Sequence, residues 1–224
     1  MSSLLLLKLL LAPCFVVLVS IIQRRWGDDV GGRLIGLPLT TVPFILIIYI
    51  QEGSSFASRA AHGVIVGQIA LIMFSWVYAM SVSRMSWAPS LAMGTVACLI
   101  TGAVVTSFEI PLVVLLPTLI GIWTAAMKFW PTYTPTLRQS NPPTWELPAR
   151  VLITIVLIVT LTGFANILGP RVAGALSTYP VIISVLGAFS HRRYGPNAIA
   201  ATLHGLMKSL LIATLIMSFL TLAM

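Results

Sequence analysis

Lys208 is the one charged residue within the apolar run 198–222, one helical turn beyond His204. An ammonium group at such depth is costly in hydrocarbon and normally faces a cavity or a counter-ion. It could meet an anionic solute, or pair with Glu109 if that side chain reaches inward. His204 precedes Gly205 just as His62 precedes Gly63. Either imidazole could relay protons, because its charge changes near neutral pH; the blander role is one interhelical hydrogen bond beside a close-contact glycine. Arg33 and Arg171 offer a further pair, either interfacial anchors or mirror-related gates for anions. The carboxylates closest to apolar runs, Glu52 and Glu109, fall at expected interfaces, so an anionic or zwitterionic solute is favoured over a cation. Asp28 and Asp29, beside Arg24, Arg25 and Arg33, read as charge balance in a loop. Paired catalytic carboxylates, a His-x-x-x-His metal spacing, a phosphate-cradling glycine loop and a serine–histidine–aspartate set are all missing from the sequence. The expectation is therefore no enzyme, no catalytic residue, no metal and no cofactor.

The arginines and histidines belong to a phrase written twice. "GGRLIGLPLTTVPFI" starts at Gly31 and "GPRVAGALSTYPVII" at Gly169. Each gives Gly-x-Arg-x-x-Gly, then Leu-[Thr/Ser]-Thr-x-Pro, then an apolar run. From Pro43 it is ten residues to Gly53 and nine more to His62; from Pro180 it is fifteen to Gly195 and nine more to His204. A proline within a helix removes a donor and clashes with the carbonyl four residues back, here Leu39 or Leu176. The hydroxyls of Thr40, Thr41, Ser177 and Thr178 stand beside that break, with Tyr179 next to the second proline. The reading is a pair of discontinuous helices whose hydroxyls and freed backbone bind solute, with Lys208 near by; the alternative is an ordinary kink with back-bonding hydroxyls. Pro38 adds a second interruption to the first copy. Gly63-x-x-x-Gly67 reads as a helix contact.

The elements that must position these residues follow from composition. The chain has 224 residues, of which 58% are hydrophobic and 8% charged, against roughly 45–50% and about 25% in soluble domains. The fold class expected is an all-α polytopic membrane protein, since only segments that satisfy their own backbone hydrogen bonds cross lipid. Spans need about 20 apolar residues, which places helices at 3–22, 34–50, 57–80, 87–107, 110–128, 150–168, 172–190 and 198–222, with helices two and seven broken by proline. Helices one to three match helices six to eight at an odd offset, so the copies enter the membrane from opposite sides as an inverted-topology repeat. The units are a first membrane repeat, 1–84; two connecting helices, 85–130; a proline-rich, solvated cytoplasmic linker, 131–148; and the inverted repeat, 149–224. Nine Lys and Arg residues fall on one side (Arg24, Arg25, Arg33, Arg84, Lys128, Arg138, Arg150, Arg192 and Arg193) and three on the other (Lys8, Arg59 and Arg171). The positive-inside rule then leaves both termini outside. The net charge of +8 is scattered at the ends of apolar runs, which argues against a nucleic-acid partner. Cys14 and Cys98 lie within apolar runs and suggest neither a disulfide nor a metal.

The phrase "GLPLTTVPFILIIYI" and the helix after it resemble the GlpM type of small bacterial inner-membrane protein, over about a quarter of the chain. The resemblance implies an inner (cell) membrane location and two such units fused in opposite orientations, and it implies little chemistry. The function expected is a small secondary transporter or exporter moving a small polar or anionic solute by alternating access. The alternative is a non-transporting inner-membrane subunit for cell-envelope assembly or a partner complex. Expected partners are membrane lipid, a small-molecule solute and, for a carrier of so few helices, a second copy in a homodimer.

Overall fold

A computed structural model describes residues 3–134, 143–168, 176 and 178–224. Those residues form nine helices: α1 Ser3–Trp26, α2 Asp28–Gly36, α3 Thr41–Glu52, α4 Ser54–Ser81, α5 Trp87–Val105, α6 Leu112–Lys128, α7 Glu146–Leu168, α8 Val181–Tyr194 and α9 Pro196–Ala223. Six stretches are long and apolar enough to cross a membrane: α1, α2 with α3, α4, α5, α7 and α9. The sequence suggested eight spans. The difference lies in α6, an apolar helix of 17 residues, and in α8, of 14, whose expected start falls outside the described residues.

The second span is broken, but not where the repeated proline stands. Proline disfavours the helical conformation in the residue before it. Leu37, ahead of Pro38, is accordingly extended at φ −76°, ψ 146° and ends α2. Pro43 instead occupies the first turn of α3, where an amide has no helical acceptor and proline fits. The expected clash with the Leu39 carbonyl is thereby avoided. Pro180 likewise stands just before α8 as its N-cap. The linker also ends sooner than expected, because α7 begins at Glu146 and Pro148 lies in its first turn.

α4 and α9 are the two most enclosed candidate spans, and their buried Ile65, Ile69, Ile72, Phe74, Leu203, Leu206 and Leu210 share one core. The two helices run antiparallel: Ser58 Oγ donates to the Thr221 carbonyl at 2.7 Å and Thr214 Oγ1 to Gln68 Oε1 at 2.7 Å. α1 and α7 also pack together, with Arg150 near the start of α7 donating to Ser20 Oγ near the end of α1 at 3.0 Å. Local geometry repeats where the sequence does. Gly53 has φ 85°, ψ 175° and Gly195 has φ 85°, ψ −176°, a conformation that favours glycine. Each is followed at once by a helix of 28 residues, with His62 or His204 nine residues after the glycine.

Candidate functional site

The site is built on the seam between α2 and α9. Gly31, Gly32 and Gly36 are buried on α2, as is Gly205 on α9. A Cβ on Gly32 would overlap the Thr202 carbonyl oxygen, one on Gly36 the Leu206 carbonyl, and one on Gly205 the Asp29 carbonyl. The backbones therefore approach as closely as small residues allow. Ser209 Oγ locks the seam by donating to the Arg33 carbonyl at 2.6 Å. At its upper end Gln23 Nε2 donates to Thr202 Oγ1 at 3.2 Å, and Thr202 Oγ1 stands 3.4 Å from the buried Asp28.

This seam gathers three basic side chains around one carboxylate. Asp29 Oδ2 lies 2.7 Å from Arg33 Nη2, Oδ1 accepts from Lys208 Nζ at 3.0 Å, and His204 Nδ1 is 3.8 Å from Oδ1. His204 Nδ1 also meets Tyr133 Oη at 2.8 Å, and the Trp130 and Tyr133 rings rest on the imidazole, with centroids 5.6 and 5.4 Å away. Burial, and then the Asp29 charge, push the Tyr133 phenol above its ordinary pKa. Near neutral pH it therefore keeps its proton and can donate to an unprotonated Nδ1. Thr134 fastens the same segment to α9 through Asn197, at 3.0 Å. Residues 130–134 thus lie against α9 instead of extending into solvent as the linker reading had it. With a neutral imidazole the cluster carries one excess positive charge, and with a protonated one it carries two. Lys208 and Arg33 are 38% and 54% exposed at the surface of the chain.

The sequence-expected residues divide as follows. Arg33, His204 and Lys208 come together, and the partner they share is Asp29 instead of Glu109, which is exposed in the turn between α5 and α6. Asp28 and Asp29 are the first turn of α2 and not a loop; carboxylates there complement the helix dipole. Thr40 and Thr41 flank the break, and no hydrogen bond or ion pair among the described residues joins them to the other candidates. Thr178 and Tyr179 face α4 and α5: Cys98 Sγ donates weakly to the Thr178 carbonyl at 3.8 Å, and Tyr179 Oη lies 3.4 Å from Thr95 Oγ1. His62 is half-buried on α4. Ser177 and Arg171 lie outside the described residues. Asp29, Tyr133 and Trp130 were missed.

A second charged group was missed as well. Glu146 and Arg150 are 2% and 1% exposed and paired with each other. Arg193 lies 3.6 Å from Glu146 Oε2, and the Arg150 guanidinium stands 5.2 Å from the Phe189 ring centroid. Arg150, counted from sequence among the loop charges, is in fact the largest fully buried side chain described. Close by, His191 lies in the last turn of α8, outside the six candidate spans, with its ring centroid 6.0 Å from that of Tyr78. Burial lowers its pKa from the ordinary 6.5. The unfolded chain then takes up this proton more readily than the folded one, so stability is lost as pH falls through 6.5. Thermal unfolding in detergent should occur at lower temperature near pH 5.5 than near pH 7.5, with the difference reduced in His191→Gln; an equal difference in that variant would refute the assignment.

What fold and site define together is a class: a chain helical throughout its described elements, with six stretches of membrane-crossing length and a partly exposed basic cluster beside a helix break. No protein-family model, curated protein or solved structure matches the chain.

Proposed function

We propose that the chain is a small secondary transporter that carries an anionic solute across a membrane, with the Arg33–Asp29–His204–Lys208 cluster as its solute site. The single observation behind this reading is the convergence of three basic side chains, from two helices, on one reachable carboxylate next to an interrupted span. Such interruptions serve solute sites in carriers built from inverted repeats. An inverted repeat of helices one to three and six to eight is supported by the antiparallel run of α4 with α9. The matched glycines and equal helix lengths after them support it too. If α6 and α8 also cross, as the eight-span count has it, the charge bias favours both termini outside a bacterial-type inner membrane. In this reading one half rocks against the other around the cluster.

Reconstituted protein should take up small labelled anions into proteoliposomes. Lys208→Ala and Arg33→Gln should each lower that uptake at least about tenfold, the loss of roughly one charge-assisted hydrogen bond, while the unfolding temperature stays near that of the parent. Uptake unchanged in both variants would remove the site from the reading.

A further inference from the structure

We infer that Asp29 is a built-in substitute for a carboxylate solute, and that it sets the mode of transport by neutralising the site when no solute is bound. The inference rests on the transporter reading above and names its solute class.

The two adjacent acids do different work. Asp28 is buried and held at Thr202 beside Gln23. Asp29 is 28% exposed and spans two cations on different helices, one carboxylate oxygen on Arg33 and the other on Lys208. The gap between those cations is therefore the width of one carboxylate. Its backbone is fixed, because the Asp29 carbonyl is pressed against Gly205, but rotation of its side chain lifts the carboxylate away without moving α2. The groups that face it are Arg33 on its own helix, His204 and Lys208 on α9, and Tyr133 from the segment after α6. Trp130 and Tyr133 against His204 give that side of the gap an aromatic wall.

A solute bearing one carboxylate can take the place of Asp29 between Lys208 and Arg33. No bond is made or broken, and one anion replaces another. When the solute leaves, Asp29 returns, so the cations are never left bare as the site closes away from water. Two bare cations in a closed, low-dielectric site repel each other far more than they do in water. A carrier with Asp29 can therefore change sides empty and perform net transport. Without it, the carrier can change sides only when loaded, and net transport gives way to exchange.

The test compares the parent with Asp29→Asn in proteoliposomes, with [14C]pyruvate as probe and [32P]phosphate as the arm that lacks a carboxylate. The parent should take up pyruvate whether or not the vesicles contain unlabelled pyruvate. Asp29→Asn should lower uptake into empty vesicles at least tenfold more than uptake into pyruvate-loaded ones. In detergent it should bind [14C]pyruvate at least tenfold more tightly than the parent, since the internal competitor is gone. Asp29→Ser is the second variant should the amide fail to fold, as judged by thermal unfolding, and the same outcomes apply. A folded variant that keeps net uptake, loses both modes alike, or binds pyruvate no more tightly overturns the role of Asp29. Phosphate preferred over pyruvate overturns the solute class. Binding without flux in the parent, tighter in the variant, upholds the substitution at the site and removes the transporter reading alone; no binding of either anion removes both.

Discussion

Arg150→Ala is expected to be the most destabilising charge-removing substitution in the chain, on the order of 3–5 kcal/mol. The guanidinium is 1% exposed and ties three helices together: Glu146 on its own α7, Ser20 on α1, and the Phe189 ring on α8. Its removal leaves the Glu146 carboxylate, 2% exposed, with Arg193 at 3.6 Å as its remaining ion-pair partner. A cavity of guanidinium size adds to the cost. The net worth of the intact pair is much smaller, because desolvating two charges consumes most of their attraction. A Glu146→Leu/Arg150→Met double variant should therefore lose less stability than Arg150→Ala alone. Arg150→Lys should fall between, since a lysine cannot reach Ser20 and Glu146 with one planar fork. Thermal unfolding in mild detergent measures all three. If Arg150→Ala unfolds no earlier than a control at the exposed Arg84, the ion pair carries no such weight.

Gly205→Val is the second large effect expected, and it links stability to the site. A Cβ at position 205 would overlap the Asp29 carbonyl and crowd the Arg33 amide, both backbone atoms of α2. A flexible side chain could swing aside, whereas a helix backbone has to move as a body. Overpacking of this kind costs about 1–3 kcal/mol in well-ordered cores. The gain in helix propensity, under about 1 kcal/mol, does not offset it. Because Asp29, Arg33 and their contacts with α9 move together, anion binding should fall along with the unfolding temperature. Gly121→Ala, on an exposed face with open space around it, should cost nothing. Gly205→Val matching that control in both measurements would mean that the α2–α9 seam is not close-fitting.

Much of the helical layout was readable because apolar runs of span length and the Lys and Arg residues at their ends mark it. Three of the four central site residues were readable too, since a lysine inside an apolar run and histidines repeated before glycine are rare there. Asp29 was not, because two acids beside three arginines look like surface balance until the chain folds α2 onto the middle of α9. Gly32-x-x-x-Gly36 carried the signal for that contact, whereas Gly63, with the same spacing to Gly67, has open space around it. Glu146 and Arg150 stand four apart, a helical ion-pair spacing, yet the prolines around them read as linker. The repeat points to Pro43 as the break, whereas the chain breaks at Leu37–Pro38. Proline's position within a helix decides its effect, and that position follows from Leu37 being forced out of helix by Pro38.

The single-glycine joints at Gly53 and Gly195 have a mechanical consequence. α3 passes into α4, and α8 into α9, with no loop between them to take up slack. A short arm joined to a long one in this way makes one bent unit, and residues 37–40 are where that unit meets α2, the arm that carries Asp29 and Arg33.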